Sequence, residues 1–197
     1  MLVVLWVVRY TEVMLDKNSI PSKLLWIDLE YTDFDYPRNL MLEASVEITD
    51  FNFQTIANYE VRIKNNPKKL IERMALNTFW QDYPANREDF IRNNDMGVGI
   101  EQAEDELLAL VDKHFGEEPA ILAGNSIHSD RNVIKVHWPK LDLRLHYRML
   151  DVTSLKILMQ GKYGVVYEKK STHRAFDDIQ ASIAELQFYL DWFKKLN

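Results

Sequence analysis

Between residues 24 and 63 the chain carries three apolar, β-branched runs of strand length, and beyond Pro67 the spacing of its apolar residues becomes helical. Residues 24–30 read Leu-Leu-Trp-Ile-Asp-Leu-Glu, an apolar run of strand length that ends in acids. Residues 40–48 and 56–63 alternate in part and flank a short polar turn at 50–52, the arrangement of a hairpin. After Pro67, Leu70, Met74 and Asn77 fall on one helical face, and residues 90–93 suit a short helical piece. Residues 101–114 predict an amphipathic helix with Leu107, Leu108 and Val111 inward and acids in its first turns, where the helix dipole favours them. A short strand at 120–123 runs through Gly124-Asn125-Ser126 into a helix over 129–137, which stops before Pro139. Residues 148–152 predict a fifth strand, and 153–160 a helix opened by the Thr153 hydroxyl. A last helix over 175–195 places Ile179, Ile183, Leu186, Leu190 and Phe193 on one side. Strands in series followed by strands alternating with helices imply an α/β fold, a mixed sheet of five strands flanked by helices.

The amino-terminal run at 2–8 is apolar but far shorter than the roughly 20 residues that span a bilayer. It has neither the basic start nor the small-residue cleavage site of a signal peptide. The turn-rich stretch 16–22 separates it from the rest, giving an expected extension over 1–21 and one domain over 22–197. No membrane partner is expected, and the expected location is the cytoplasm.

Composition narrows the chemistry. The 197 residues contain no cysteine, which excludes disulfides, thiolate zinc sites and thiol nucleophiles. Carboxylates, histidines and hydroxyls remain. The 30 acids outnumber the 24 Lys and Arg, for a formal charge of −6, which argues against a protein that coats long nucleic acids. A short, locally neutralised nucleic acid stays open.

Three segments bring candidate groups. Asp28 and Glu30, two apart on a strand, project from one face. They either mark where the strand leaves the core or jointly hold a hard divalent cation. Asp130 lies just after a strand, where α/β sheets bind ligands, and also where a helix-start acid serves the dipole. Asp177 and Asp178 open the last helix. Periodicity does not choose between them: Asp178 shares a face with Ser182 and Glu185, Asp177 with Gln180 and Ala181. Together, four carboxylates from three segments plus His173 match the needs of two-metal phosphodiester hydrolysis. Cations about 3.5–4 Å apart need ligands from several sides, and an imidazole can take a proton from water.

Asp28-Leu29-Glu30, Asn125-Ser126-Ile127-x-x-Asp130-Arg131 and His173-x-Ala175-x-x-Asp178 resemble the three motifs of the DEDDh exonuclease family, most closely its oligoribonuclease branch. The flanking Leu25-Trp26-Ile27, His146-Tyr147-Arg148-x-Leu150-Asp151-Val152 and Ala184-Glu185-Leu186 resemble it too, so the likeness runs over residues 24–196. It implies an RNase H-like fold and a homodimer that removes 5′-mononucleotides from the 3′ end of very short RNA, chiefly diribonucleotides. It further implies that Asp28, Glu30, Asp130 and Asp178 hold two divalent cations, Mg2+ or Mn2+, with His173 as general base. Ser126, Arg148 and Thr153 would grip the terminal 5′-phosphate. Tyr147 would reach across the dimer to stack on a base, with Arg148 contributed the same way, and Trp80 would stand at the substrate side.

The chain departs from the branch after Glu30, where Tyr31-Thr32-Asp33-Phe34-Asp35 replaces the usual Met-Thr-Gly-Leu-Asp. Phe34 thereby takes the place of a leucine that wedges between bases, and Ala85 falls where a phosphate-contacting histidine is usual. His114, His128 and His137 are expected at surfaces or helix ends, His146 beside the dimer contact, and Phe188, Tyr189, Trp192 and Phe193 in packing. Two rivals stand beside the dinucleotide reading: a DEDDh exonuclease for longer RNA or single-stranded DNA, and a non-catalytic RNA-binding dimer.

Overall fold

In a computed structural model, which describes residues 22–168 and 175–195, five strands form one mixed sheet in the order β3-β2-β1-β4-β5. The expected extension over residues 1–21 lies outside the described residues. The strands are β1 (Lys23–Tyr31), β2 (Met41–Asp50), β3 (Thr55–Arg62), β4 (Ala120–Gly124) and β5 (Leu145–Asp151). β1, β2 and β3 pair antiparallel, while β4 and β5 run parallel to β1. The helices are α1 (Pro67–Ala75), α2 (Phe79–Asp82), α3 (Pro84–Arg92), α4 (Ile100–Phe115), α5 (His128–His137), α6 (Pro139–Asp142), α7 (Val152–Tyr163) and α8 (Ala175–Lys194). The mixed five-stranded α/β architecture is the expected one. None of the described helices is long and apolar enough to cross a membrane.

The centre of the sheet is buried on both faces, which explains the apolar run of β1. Leu25, Ile27 and Leu29 pack with Leu107 and Val111 of α4 and Val133 and Ile134 of α5. Leu24 and Trp26 point the other way and pack with Ile179, Ile183 and Leu186 of α8. Asp28 and Glu30 continue this second row where β1 leaves the core, so both carboxylates stay on the α8 side. Gly124 ends β4 beside them; a Cβ there would meet the Ile27 carbonyl oxygen at 3.1 Å, so the glycine lets β4 close on β1.

Two local expectations are corrected. The helix after β5 is capped by the Asp151 carboxylate, which accepts the Thr153 N–H at 2.9 Å. A carboxylate one residue earlier satisfies the end, leaving the Thr153 hydroxyl to accept the Ser126 N–H at 2.9 Å instead. On α8 the inward position after Leu186 is Tyr189, fully buried with its hydroxyl donating to Glu185 at 2.8 Å, while Leu190 is exposed. A tyrosine whose hydroxyl has a partner buries more apolar surface than the leucine beside it, and helical spacing allows either.

Candidate active site

The carboxyl ends of β1 and β4 meet at a cleft of about 300 Å³ lined by Asp28, Leu29, Glu30, Tyr31, Phe34, Asn125, Ser126, Ser129, Asp130 and Asp178. Parallel strands leave such a crevice where the chain passes from strand to helix. Carboxylate oxygens of Asp28, Glu30 and Asp178 all lie within 4.8 Å of one another. α8 therefore presents Asp178, which is buried, whereas Asp177 is exposed; the ambiguity left by periodicity is resolved by packing.

Asp130 stands behind this trio. It is buried at the start of α5, and its Oδ1 accepts the Leu29 N–H at 3.0 Å. Burial raises its pKa well above the usual carboxylate range, and the neighbouring charges of Asp28 and Glu30 push it the same way. Like-charged oxygens gathered without a compensating cation repel, and that is the cost a hard divalent ion removes. The donor set is all oxygen and fits a hard divalent cation.

The second motif is tied to α8. Asn125 donates to Ser182 Oγ at 3.0 Å and to the buried Glu185 at 3.1 Å, and Ser182 donates to the Asp178 carbonyl at 2.7 Å. These bonds fix the helix that carries Asp178 against the loop that precedes Asp130. Asn125 and Glu185 lie within the matching segments, but only their co-location in the fold shows that they tie these segments together. Ser126 adopts φ 50°, left-handed for a non-glycine, with its N–H directed to Asp151 at 3.0 Å and to Thr153. Its hydroxyl lies 3.2 Å from that of Thr153, so this expected pair is brought together at one rim.

Phe34, 70% exposed, reaches the same cleft from the loop after β1. Asp33, in the place usually held by glycine, is gripped by Arg73 of α1, whose Nε donates to it at 3.0 Å. Tyr31 also lines the cleft, a position the sequence reading noted only as a departure. Burial, then Asp130, Tyr36, Asp28 and Glu30, push its phenol further up, so it stays protonated at neutral pH.

Trp80 is a correction. It is 1% exposed among Leu42, Leu70, Met74 and Phe90, and its indole donates to the Thr32 carbonyl at 2.8 Å. The indole thus anchors the loop from behind and presents no face to a ligand. The large apolar residue most exposed in this segment is Leu76, at 76%. Trp80→Phe should cost about 1–2 kcal/mol in urea unfolding through the lost hydrogen bond and leave substrate KM within about twofold. A KM rise beyond tenfold at unchanged stability would restore the substrate-side role.

Tyr147 and Arg148 do not line the cleft of their own chain. Both are exposed on β5, with the guanidinium 5.2 Å from the tyrosine ring centroid. His173 lies outside the described residues. His137 closes α5 and lies 2.7 Å from the Asn39 side chain, and His128 is exposed at the other end of that helix.

The profile of the RNase T exonuclease family matches residues 25–186, most of the chain and every carboxylate of the cleft. The chain belongs to this exonuclease family. Curated relatives include the oligoribonucleases of Corynebacterium glutamicum, 36% identical over 88% of this chain and 84% of that protein, and of Corynebacterium diphtheriae, 38% identical over 85% and 81%. The oligoribonuclease of Francisella tularensis subsp. novicida is 38% identical over 85% of this chain and 94% of its own. Solved exonuclease structures share the fold. Escherichia coli exonuclease I in complex with an oligonucleotide superposes with a TM-score of 0.56 at 12% identity, over 88% of this chain. Exonuclease I of Methylocaldum szegediense gives 0.56 at 16% over 83%. This exonuclease domain spans about two fifths of those longer chains, 43% and 39% respectively.

Proposed function

We propose that this chain, a 3′→5′ exoribonuclease acting on short RNA, takes chiefly diribonucleotides and works as a homodimer. The observation that carries the reading is the convergence of Asp28, Glu30 and Asp178 in a cleft of about 300 Å³, with Asp130 buried behind them. Asp28, Glu30, Asp130 and Asp178 would hold two divalent cations, Mg2+ or Mn2+, which would supply positive charge for an in-line displacement at phosphorus.

The chain's own residues do the rest. His173 takes the proton of the attacking water as its oxygen bonds to phosphorus. The bond from phosphorus to the 3′-oxygen of the preceding nucleotide breaks; that oxygen takes a proton from solvent water and leaves as a hydroxyl, and the terminal nucleotide leaves as a 5′-monophosphate. Ser126 and Thr153, paired at the rim, accept the substrate's own 5′-phosphate together with Arg148. Phe34 packs between the bases, and Tyr147 supplies a further stacking face, worth roughly 1–3 kcal/mol per base.

Arg148 and Tyr147 lie outside their own cleft, which supports their contribution to the cleft of a partner subunit. Exposed Tyr147 and Met149 on β5, with Ile157 and Leu158 on α7, offer apolar surface for such a contact. A phosphate grip provided from the partner closes the cleft at a fixed distance from the carboxylates and leaves no path for a longer chain.

The test is cleavage of end-labelled RNAs of two, five and twenty nucleotides, with a DNA control, in Mg2+ or Mn2+ and in chelator. The dinucleotide should turn over at least about tenfold faster than the 20-mer, and chelator should stop both. Comparable rates would favour the exonuclease for longer chains, and no cleavage the non-catalytic dimer.

A further inference from the structure

A nucleotide has its sugar between its phosphate and its base, and Tyr31 lines the cleft next to both the acidic motif and the exposed ring of Phe34. Asp28, Glu30, Asp130 and Asp178 line the cleft together with exposed Phe34. Tyr31 adjoins both: it follows Glu30 directly, lines the same cleft, and meets the Phe34 ring edge-on at 5.7 Å between centroids and 81° between planes. Tyr36 completes the aromatic triangle, 6.4 Å from Tyr31 and 6.3 Å from Phe34.

The loop that carries this triangle is fixed before any ligand arrives. The Thr32 N–H donates to the Leu40 carbonyl at 2.9 Å, and the Leu40 N–H to the Thr32 hydroxyl at 2.9 Å. Thr32 O also accepts from Asn77 at 3.0 Å and from the Trp80 indole, while Asn39 donates to Asp33 O at 3.0 Å. With both ends tied, the aromatic wall need not be ordered at binding. The Tyr31 hydroxyl itself makes no hydrogen bond to another of the described residues. A half-buried phenol of this kind both donates and accepts, and the group that separates RNA from DNA, the 2′-hydroxyl, does the same.

We propose that the Tyr31 hydroxyl hydrogen-bonds the 2′-hydroxyl of the substrate's 3′-terminal nucleotide, making Tyr31 a residue that selects RNA over DNA. The inference rests on the cleft being the exonuclease site described above. Tyr31→Phe retains the ring and its packing on Phe34 and removes only the hydroxyl.

The experiment compares wild type and Tyr31→Phe on two dinucleotides that differ only in a 3′-terminal ribose or 2′-deoxyribose. The variant should lose about tenfold in kcat/KM on the all-ribose substrate, mainly through KM, and change less than twofold on the 2′-deoxy one. The ribose preference thus collapses. An unchanged preference, or equal losses on both substrates, overturns the role of Tyr31. The same pair of 3′ ends is placed on ten-nucleotide RNAs, where the contact with the terminal sugar is identical. A wild type that prefers the ten-nucleotide chains contradicts the dinucleotide reading but still measures Tyr31, and a wild type that cleaves none overturns both.

Discussion

Asp130→Asn should lower turnover by on the order of 10³-fold or more while raising the melting temperature of the metal-free protein. The two effects have one cause. Asp130 is buried beside Asp28 and Glu30, and burial together with those charges raises its pKa well above 3.8. The folded chain therefore holds this proton more tightly than the unfolded chain does. Its stability without metal falls as pH rises from the ordinary carboxylate value through the raised one, because over that window the folded state binds more protons. Asparagine keeps an oxygen to accept the Leu29 N–H and carries no charge, so the repulsion and its pH dependence disappear. A gain in stability at neutral pH is expected, read as a higher melting temperature in chelator. Adding Mg2+ should stabilise the wild type more than the variant, since ligand binding to the folded state stabilises it in proportion to its affinity. Retained hydrolysis would contradict the metal assignment. A variant less stable than wild type in chelator would contradict the electrostatic account.

How much of this was legible from the chain differs residue by residue. The pair Asp28 and Glu30 was readable because strand period alone puts positions two apart on one face, and apolar neighbours make their charges conspicuous. The choice between Asp177 and Asp178 was not, because both are first-turn acids and only the docking of α8 on β1 and β2 turns one of them inward. Trp80 was misplaced for a related reason. A tryptophan has a polar handle, and whether its N–H meets a ligand or the Thr32 carbonyl depends on where α1 ends, which spacing fixes only to within a residue or two. Tyr31 went unremarked as a site residue because alternation assigns it to the Leu29 face, toward the core. The pairing of β1 with β2 shifts register between Glu30 and Tyr31, at the mouth of the cleft, so the simple alternation ends there.

Charge follows the same logic. A net charge of −6 weighs against long polymers, but several of the acids that produce it are concentrated at one cleft. Divalent cations in that cleft would neutralise its carboxylates, so an acidic chain can take a short anionic substrate without the basic track that a long strand needs.

Two inactive proteins, mixed, should regain activity. Arg148→Ala should cost about 100-fold on a dinucleotide, the scale of losing one charged partner of a bound phosphate, and much less on a 20-mer. Asp130→Asn is inactive for the separate reason given above. If each cleft draws Arg148 from the other subunit, a mixed dimer joins the intact acids of the Arg148→Ala chain to the intact arginine of the Asp130→Asn chain, and one of its two clefts is whole. After subunits exchange at equal concentrations, about half the dimers are mixed and about a quarter of all clefts are complete, so dinucleotide hydrolysis should recover to roughly a quarter of the wild-type rate. The placement of the residues motivates this outcome: Arg148 stacks by Tyr147 on the surface of β5, and neither side chain lines the cleft of its own chain. Recovery that fails after demonstrated exchange would place Arg148 in its own subunit's cleft, reached by a movement of β5. Recovery with the 20-mer equal to that with the dinucleotide would remove the link between the partner's arginine and substrate length.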